Sequence, residues 1–247
     1  MDLGIGGRVA IVTGAAGGVG QALVRALAEQ GARVVLCDVN VIELEKLDQR
    51  LRPGDHLVSA ADVSQVSECQ RLVQETLERY HRIDILVNGA AIIHRVPIED
   101  VTENDWNKMF EVNLKSQFFL SRAVVAHMAQ QRWGRIINFS SQGAISGGFV
   151  SSAVYAITKG GVLTLTKSFA RAYASDGICV NAVAPGGVNT EMMQISPAQR
   201  DTFISQVPLG RLAEPDELVG PVLFLASQWS SYVTGAILDV NGGQLMR

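Results

Sequence analysis

The sequence contains few of the residues that build metal sites, disulfides or nucleic-acid interfaces. It has only four histidines, and its three cysteines (Cys37, Cys69 and Cys179) lie far apart, which indicates reduced thiols and no metal site. The formal net charge is −3, with acidic and basic residues interspersed, so nothing indicates a nucleic-acid partner. No apolar run reaches the roughly 18 to 20 residues of a membrane span, and the N-terminus lacks a signal-peptide pattern. We therefore expect a cytoplasmic protein with no membrane partner.

Hydrophobic residues make up 47% of the sequence, enough for a large core. Short β-branched segments alternate with longer helical patterns throughout the chain. Because several of the short segments are apolar at consecutive positions, we expect parallel strands buried on both faces. Strands are predicted at 8–12, 33–37, 56–60, 83–87, 135–139, 179–183 and 237–240, and the longer helices at 20–30, 65–80, 103–131, 152–175 and 214–227.

This alternation predicts an α/β fold, a single doubly wound parallel sheet of the Rossmann type with helices on both faces. No linker or repeat interrupts it, so residues 1–247 are expected to form a single dinucleotide-binding catalytic domain. The polar segment 191–208 contains no strand pattern and is expected to be a lid over the substrate.

A glycine-rich turn follows the first predicted strand and precedes a helix, with the sequence Thr13-Gly14-Ala15-Ala16-Gly17-Gly18-Val19-Gly20. Glycines at this junction let backbone N–H groups approach a pyrophosphate at the helix N-terminus. A merely flexible turn is the alternative, and the position between strand and helix disfavours it. Asp38 ends the second strand, where a carboxylate can bind the adenosine ribose hydroxyls and repel a 2′-phosphate, which predicts NAD. The alternative for Asp38 is an ordinary helix N-cap.

Tyr155 and Lys159 lie four residues apart in a predicted helix and therefore share one face. A free tyrosine titrates near pH 10, so a role as acid and base near pH 7 needs a shift of about three units. A cation at about 4 Å supplies roughly that much at an effective dielectric of 20, before desolvation is subtracted. The pair alone also occurs by chance in many helices, so its interpretation depends on the rest of the sequence.

Taken together, the motifs resemble those of the short-chain dehydrogenase/reductase family over essentially the whole chain. They are Thr13-Gly14-x3-Gly18-x-Gly20, Asp62, Asn88-Gly89-Ala90-Ala91, Asn113, Ser140-Ser141, Tyr155-x3-Lys159 and Pro185-Gly186-x-Val188-x-Thr190. The resemblance implies an NAD(H)-dependent oxidoreductase that interconverts a secondary alcohol and a ketone, with a tyrosine as acid and base. It also implies a homotetramer.

The resemblance assigns roles to individual residues. Tyr155 is expected to exchange a proton with the substrate oxygen, Lys159 to bind the nicotinamide ribose and lower the tyrosine's pKa, and Ser141 to hydrogen-bond that oxygen. Asn113 is expected to hold a water on the proton path. The expected substrate contacts are Ser141, Gln142, His94 and Tyr155. The expected cofactor-binding residues are Gly14, Ala16, Gly17, Gly18, Val19, Gly20, Asp38, Val39, Asp62, Val63, Asn88, Gly89, Ala90, Tyr155, Lys159, Pro185, Gly186, Val188 and Thr190.

Several alternatives stay open at the level of sequence. Ser140 is the second candidate for the serine role. Fourteen positions rather than the commonest thirteen separate Ser141 from Tyr155, and the extra residue is expected in the loop 146–152. The stretches 207–218 and 232–236 resemble bacterial sugar and polyol dehydrogenases, and 3-oxoacyl-carrier-protein reductases nearly as well. We favour a sugar, polyol or similar hydroxy compound as substrate. Two alternative functions belong to classes other than the oxidoreductases. One is a lyase or epimerase of the same fold, and the other is a non-catalytic NAD-binding scaffold or sensor.

Overall fold

The computed structural model describes residues 2–51 and 54–246, and the strands within them form one parallel sheet. The strands are β1 Val9–Thr13, β2 Arg33–Asp38, β3 Leu57–Ala60, β4 Ile85–Asn88, β5 Gly134–Phe139, β6 Ile178–Pro185 and β7 Ile237–Val240. The sheet order is β3-β2-β1-β4-β5-β6-β7, and every neighbouring pair is parallel. This confirms the predicted fold class.

Helices cover both faces of the sheet. They are α1 Gly18–Glu29, α2 Val41–Asp48, α3 Val66–Tyr80, α4 Glu103–Phe110, α5 Ser116–Gln130, α6 Gly143–Ser146, α7 Ala153–Tyr173, α8 Pro197–Ser205 and α9 Val219–Ala226. Alternate residues of the strands point to opposite faces, so Ile11 of β1 joins a core cluster with α3, α5 and α7. Its neighbour Val12 joins a second cluster with α1 and α9. The apolar strands are therefore buried on both sides, as expected.

The long helix predicted at 103–131 is interrupted. α4 ends at Phe110, and a π-helical turn, Glu111–Lys115, leads into α5. Such turns insert one extra residue into a helix and are frequent at functional sites. Here the turn contains Asn113, whose buried amide bonds to the backbone of Ile92 on the segment after β4.

The site is positioned by the reversal of strand order at the centre of the sheet. The chain goes from β1 outward to β2 and β3, and then returns to β4 on the other side of β1. The helices that follow β1 and β4 therefore pack on opposite faces of the sheet, and at such a switch point ligands bind outside the carboxyl ends of the strands. Among the described residues no helix combines the length and apolarity that crossing a membrane requires.

Candidate active site

A cleft of about 1610 Å³ runs along the carboxyl ends of the strands. It is lined by the turn after β1, the tip of β2, the segments after β3, β4 and β5, one face of α7, and the chain from Pro185 to Gln194. Every predicted cofactor-binding residue lines this cleft except Asn88. One end of the cleft is built from the glycine turn and Asp38, and we call it the adenosine end. The other end holds Ser141, Tyr155 and Lys159, and we call it the reaction end.

The glycines of the turn are required by close backbone contacts. A Cβ on Gly20 would lie 2.0 Å from the carbonyl oxygen of Gly14. Gly14 itself has a φ of +72°, and a Cβ there would lie 2.9 Å from the Cα of Ala90. These contacts leave no room for side chains, so the turn after β1 packs directly against the turn after β4.

The turn also leaves the N-terminus of α1 open to the cleft. Gly17 is its N-cap and supplies no side-chain hydrogen bond, and the first turn of the helix carries no acidic residue. The free N–H groups and the positive end of the helix dipole are therefore available to an anion. This arrangement fits the pyrophosphate of a dinucleotide.

Asp38 is fixed beside the glycine turn. Its carboxylate accepts hydrogen bonds from the backbone N–H groups of Ala16 and Asn40, both at 3.1 Å. The N-cap of α2 is Asn40, whose side chain accepts a hydrogen bond from the N–H of Glu43 at 3.2 Å. The helix-cap alternative for Asp38 is therefore wrong, and the carboxylate lies at the edge of the cleft.

Asn88 is a correction to the predicted site. Its side chain is fully buried beneath the cleft, where Nδ2 donates to Oδ1 of Asn138 at 2.8 Å and to Oγ of Ser121 at 3.2 Å. The residue holds β4 to β5 and α5 and does not line the cleft. Thr13 holds the turn above it, because its Oγ1 accepts from the N–H groups of Gly89 and Ala90, both at 3.2 Å.

Ser141 and Tyr155 meet at the reaction end. The Ser141 side chain lies near enough to the Tyr155 hydroxyl to lower its pKa, and Oγ of Ser141 accepts from the N–H of Gly143 at 3.1 Å. The Ser140 hydroxyl is engaged elsewhere, since it is buried and donates to the carbonyl of Lys159 at 2.9 Å. The geometry thus favours Ser141 over Ser140 as the serine that faces a substrate.

Lys159 is buried below Tyr155. Its Nζ donates to the carbonyl of Phe139 at 2.8 Å and lies 5.5 Å from the centroid of the Tyr155 ring. Burial lowers the pKa of Lys159 to about 7 and raises the pKa of Tyr155 to about 12. Ser141 and Arg95 oppose the rise at Tyr155, and Lys159 does not contribute. The lowering of the tyrosine's pKa by Lys159 stays a prediction.

A family model described as enoyl-(acyl carrier protein) reductase matches residues 14–244. The chain belongs to the short-chain dehydrogenase/reductase family. It is 38% identical to a 3-oxoacyl-[acyl-carrier-protein] reductase, FabG, of Thermotoga maritima, over 96% of this chain and 97% of the relative. It is 36% identical to the (2S)-[(R)-hydroxy(phenyl)methyl]succinyl-CoA dehydrogenase subunit BbsD of Thauera aromatica, over 98% of each chain.

The solved structures include a putative gluconate dehydrogenase from Agrobacterium tumefaciens that is similar to this chain. The TM-score is 0.95 at 32% sequence identity, and the match covers 100% of this chain and 99% of that one. Members of the short-chain dehydrogenase/reductase family are oxidoreductases that bind a nicotinamide dinucleotide. The adenosine end described above has the shape and the donors that such a cofactor needs.

Two of the remaining residues expected from the resemblance to short-chain dehydrogenases lie behind the cleft wall. Asn113 is buried, with Oδ1 accepting from Ile92 at 2.8 Å and Nδ2 donating to the Ile92 carbonyl at 2.9 Å. In this structure it fixes the backbone after β4, and its role in holding a water stays a prediction. Gln142, the N-cap of α6, is also buried and is not among the residues that line the cleft. It is therefore not placed to contact a substrate.

His94 and Arg95 line the cleft on the segment after β4. Nδ1 of His94 lies 3.3 Å from Oδ1 of Asp105, so the ring is held beside α4 at the cleft mouth. The Arg95 guanidinium donates to the carbonyls of Phe149 and Met192, both at 3.3 Å. None of the sequence motifs includes Arg95, so the sequence alone gave no signal that would place it at the cleft.

The segment expected to be a lid has a small core of its own. It contains α8, and the side chains of Phe203 and Val207 are buried together with Leu212. The Phe203 ring packs edge-on against Phe149, with centroids 5.1 Å apart. The sequence predicted no apolar core here, because the segment lacks a regular apolar period and the Phe149 contact comes from 54 positions away in the chain.

Proposed function

We propose that this enzyme is an NAD(H)-dependent oxidoreductase that interconverts a secondary alcohol and a ketone on a sugar, polyol or similar hydroxy compound. The observation that carries the proposal is the grouping of Ser141, Tyr155 and Lys159 at one end of a cleft whose other end fits a dinucleotide. A scaffold or sensor that only binds NAD does not need these three groups at one end of its cleft.

The nicotinamide supplies hydride chemistry when bound, taking a hydride from the carbinol carbon or returning it to the ketone carbon. In the oxidation direction the substrate O–H proton passes to Tyr155, and in reduction Tyr155 donates a proton to the oxygen that the hydride leaves negative. Ser141 donates a hydrogen bond to the same oxygen as charge develops on it. A hydride, which carries two electrons, and one proton thus leave the alcohol, and a ketone, the reduced cofactor and one proton result.

The protonation states of the site suit this scheme. With a pKa raised to about 12, Tyr155 carries its proton near neutrality and is ready to act as the acid in ketone reduction. With a pKa lowered to about 7, Lys159 exchanges its own proton near neutrality and is suited to carry protons away from the tyrosine.

Asp38 supports the choice of NAD(H) over NADP(H). Its carboxylate is fixed by Ala16 and Asn40 at the tip of β2, and no ion pair to it is formed among the described residues. A carboxylate about 4 Å from a 2′-phosphate costs roughly 4 kcal/mol at an effective dielectric of 20. Partial solvation reduces this to about 1–3 kcal/mol, which corresponds to about a 5- to 150-fold preference for NAD(H).

The test measures kcat/KM with both cofactors over a panel of polyols, aldoses, hydroxy acids and simple secondary alcohols. The wild type should favour NAD(H), and Asp38→Ala should narrow the preference by weakening NAD(H) use and removing the repulsion. Asp176→Ala, which removes a carboxylate at the opposite edge of the sheet, is the control and should leave the ratio unchanged. A wild type that favours NADP(H), or a ratio unaffected by Asp38→Ala, would contradict the assignment.

Reduction of a 3-oxoacyl group on a carrier protein is the second candidate, and the names of the FabG relatives favour it. A carrier protein needs a basic surface at the cleft entrance. Near the segment 191–208 the described chain has only three arginines, Arg95, Arg200 and Arg211, and the charge of Arg211 is already paired with Glu217, so they form no extended basic surface. Activity on a 3-oxoacyl thioester that exceeds activity on every small hydroxy compound would favour this candidate.

Two structural proposals accompany the function. Residues 1–247 act as one catalytic domain in which the segment 191–208 closes over the substrate, supported by its place beside the reaction end. The protein assembles as a homotetramer, supported by an apolar groove of about 460 Å³ on α4, α5 and α7 and by the exposed Phe118 beside it.

A further inference from the structure

Arg95 lies at the reaction end of the cleft, close enough to Tyr155 for the charges of the two groups to interact. Its two hydrogen bonds reach different walls. NH1 donates to the carbonyl of Phe149, on the loop that follows α6, and NH2 donates to the carbonyl of Met192, in the segment 191–208. The guanidinium therefore lies between the loops that border the space in front of Tyr155.

The charge of Arg95 has no anionic partner among residues 2–51 and 54–246. No carboxylate oxygen of those residues lies within 4.0 Å of it, whereas Arg8, Arg71, Arg79, Arg82 and Arg211 form ion pairs. Arg135 also lacks a carboxylate partner, but it is buried in the core and does not line the cleft, so Arg95 is the arginine that faces the cleft without one. Burial lowers the pKa of the Arg95 guanidinium, and Tyr155 acts in the opposite direction. Arg95 is only partly buried, so its charge bears part of the desolvation cost, and an anion that enters the cleft offsets that part.

None of the acidic residues that line the cleft in the described chain neutralises the charge of Arg95. Asp38, Glu43 and Asp62 line the adenosine end. Glu191 lines the cleft from the segment 191–208, but its side chain is exposed and makes no ion pair with Arg95 in the described chain. The reaction end thus presents a guanidinium and the amine of Lys159 with no carboxylate between them, which favours a negatively charged substrate.

The groups around Arg95 identify the type of anion. A guanidinium has five N–H donors in a planar fork, and two parallel donors match the two oxygens of a carboxylate. A phosphate usually takes further donors from backbone N–H groups or a second cation. The neighbouring loops instead direct two carbonyl oxygens, those of Phe149 and Met192, toward the guanidinium, and these would repel a dianion. A planar carboxylate with a single charge fits better.

We propose that Arg95 binds the carboxylate of a hydroxy acid whose secondary alcohol reacts at Tyr155, so that hydroxy and keto acids are preferred over neutral polyols. The inference rests on the proposed function, because it identifies the substrate class of the same reaction. Its rival is a structural role in which Arg95 only ties the loop of Phe149 to the loop of Met192. Both contacts are long, at 3.3 Å, and both end on neutral carbonyls, so they hold the side chain in place without neutralising it.

The test compares aldonates and simple hydroxy acids with their neutral amides, which keep the shape and remove the charge. Wild-type kcat/KM should be about 10- to 150-fold higher for the acid than for the amide, the range of charge-assisted hydrogen bonds. Arg95→Gln should reduce kcat/KM for the acid by a similar factor and leave the amide within about threefold. Arg95→Lys, which keeps the charge and loses the fork, should fall between the two. Arg132→Gln, at an exposed arginine on the opposite edge of the sheet, should change neither value.

Equal losses for acid and amide in Arg95→Gln would show that Arg95 only ties the loops, and the proposal would be overturned. A wild type that uses neutral compounds as well as acids would also overturn it, while the proposed oxidoreductase function would stand. If no alcohol or ketone in either series reacts with either cofactor, the proposed function itself fails. Should Arg95→Gln not fold, Arg95→Lys decides: competitive inhibition by an unreactive carboxylate against a neutral substrate should weaken in this variant, and unchanged inhibition would reject the proposal.

Discussion

The adenosine end and the reaction end of the cleft are built from different materials. The adenosine end consists mainly of backbone: glycines that allow strands and helix to approach, a bare helix N-terminus, and one carboxylate fixed by N–H groups. The reaction end consists of side chains that come from β5, α6 and α7 and from the loops after β4, α6 and β6.

The difference shows how each end is specified. At the adenosine end, shape is fixed by contacts between neighbouring backbone segments, and the residue type is dictated by the lack of space for a Cβ. At the reaction end, function depends on the environment that the fold gives to ordinary side chains. Ser140 and Ser141 are adjacent and chemically identical, yet one hydroxyl is bound to the carbonyl of Lys159 and the other meets Tyr155.

The largest expected effect is at the reaction end. Tyr155→Phe removes only the hydroxyl, so turnover should fall by about 10²–10⁴-fold, the contribution of a positioned proton-transfer group. NADH affinity should be largely retained, because the adenosine end is untouched. Tyr173→Phe, on the same helix and packed against Phe169, is the control. The measurements are steady-state turnover and NADH fluorescence titration, and near-normal turnover in Tyr155→Phe would reject the acid–base role.

The adenosine end should respond through shape instead. Gly20→Ala places a Cβ against the Gly14 carbonyl and should destabilise the fold by about 1–3 kcal/mol while weakening NADH binding. Gly220→Ala is the matched control, because a Cβ there meets nothing within 4 Å and the residue lies in α9. It should stabilise the protein by about 0.5–1 kcal/mol. Denaturant unfolding and NADH titration of both variants would show whether backbone contact is the cause, and equal behaviour would argue against it.

The smallest expected effect is a change with pH in the free energy of unfolding, caused by the buried amine of Lys159 at the reaction end. The pKa of Lys159 is lowered from 10.5 to about 7, so the folded state favours the neutral amine. The contribution of the neutral Lys159 amine to stability is fully present above pH 10.5. It is lost as the pH falls toward 7, because the unfolded chain binds the proton more readily than the folded one. Lys159→Met should therefore gain stability relative to wild type on going from about pH 9 to about pH 7, by up to about 2 kcal/mol.

Thermal unfolding at both pH values measures this gain. Lys167→Met, at an exposed lysine of the same helix, controls for the loss of a charge and should show no such gain. A stability difference between wild type and Lys159→Met that does not change with pH would mean that the buried amine is not desolvated as the structure indicates.

The sequence predicts the features that depend on local patterns, and it misses those that depend on contacts between distant residues. The parallel sheet, the glycine turn and the helical pairing of Tyr155 with Lys159 follow from local patterns of fixed period, and the fold class is confirmed. Asn88 was misassigned, because an asparagine after a strand can serve either the cleft or the core, and only the position of Asn138 on the neighbouring strand decides. Arg95 escaped notice because its partners, Phe149 and Met192, lie 54 and 97 residues away in the chain.

The π-helical turn was missed for a similar reason. One inserted residue shifts an apolar pattern only slightly, so 103–131 has the sequence of a continuous helix. The contact that accounts for the turn, Asn113 against the backbone of Ile92, joins two segments 21 residues apart.

Lys159 is tied to the end of β5 by both of its ends. Its backbone carbonyl accepts from Ser140, and its amine donates to Phe139. These two hydrogen bonds hold the end of β5 and helix α7 together. We therefore expect Ser141, which follows β5, and Tyr155, which lies on α7, to move as one rigid unit. We expect opening and closing of the cleft to come from its opposite wall, which is formed by the segment after β4 and the stretch 191–208. We therefore expect motions of the segment after β4 and of the stretch 191–208 to set the rates of substrate binding and product release. The distances among Ser141, Tyr155 and Lys159 should be the same whether the cleft is open or closed.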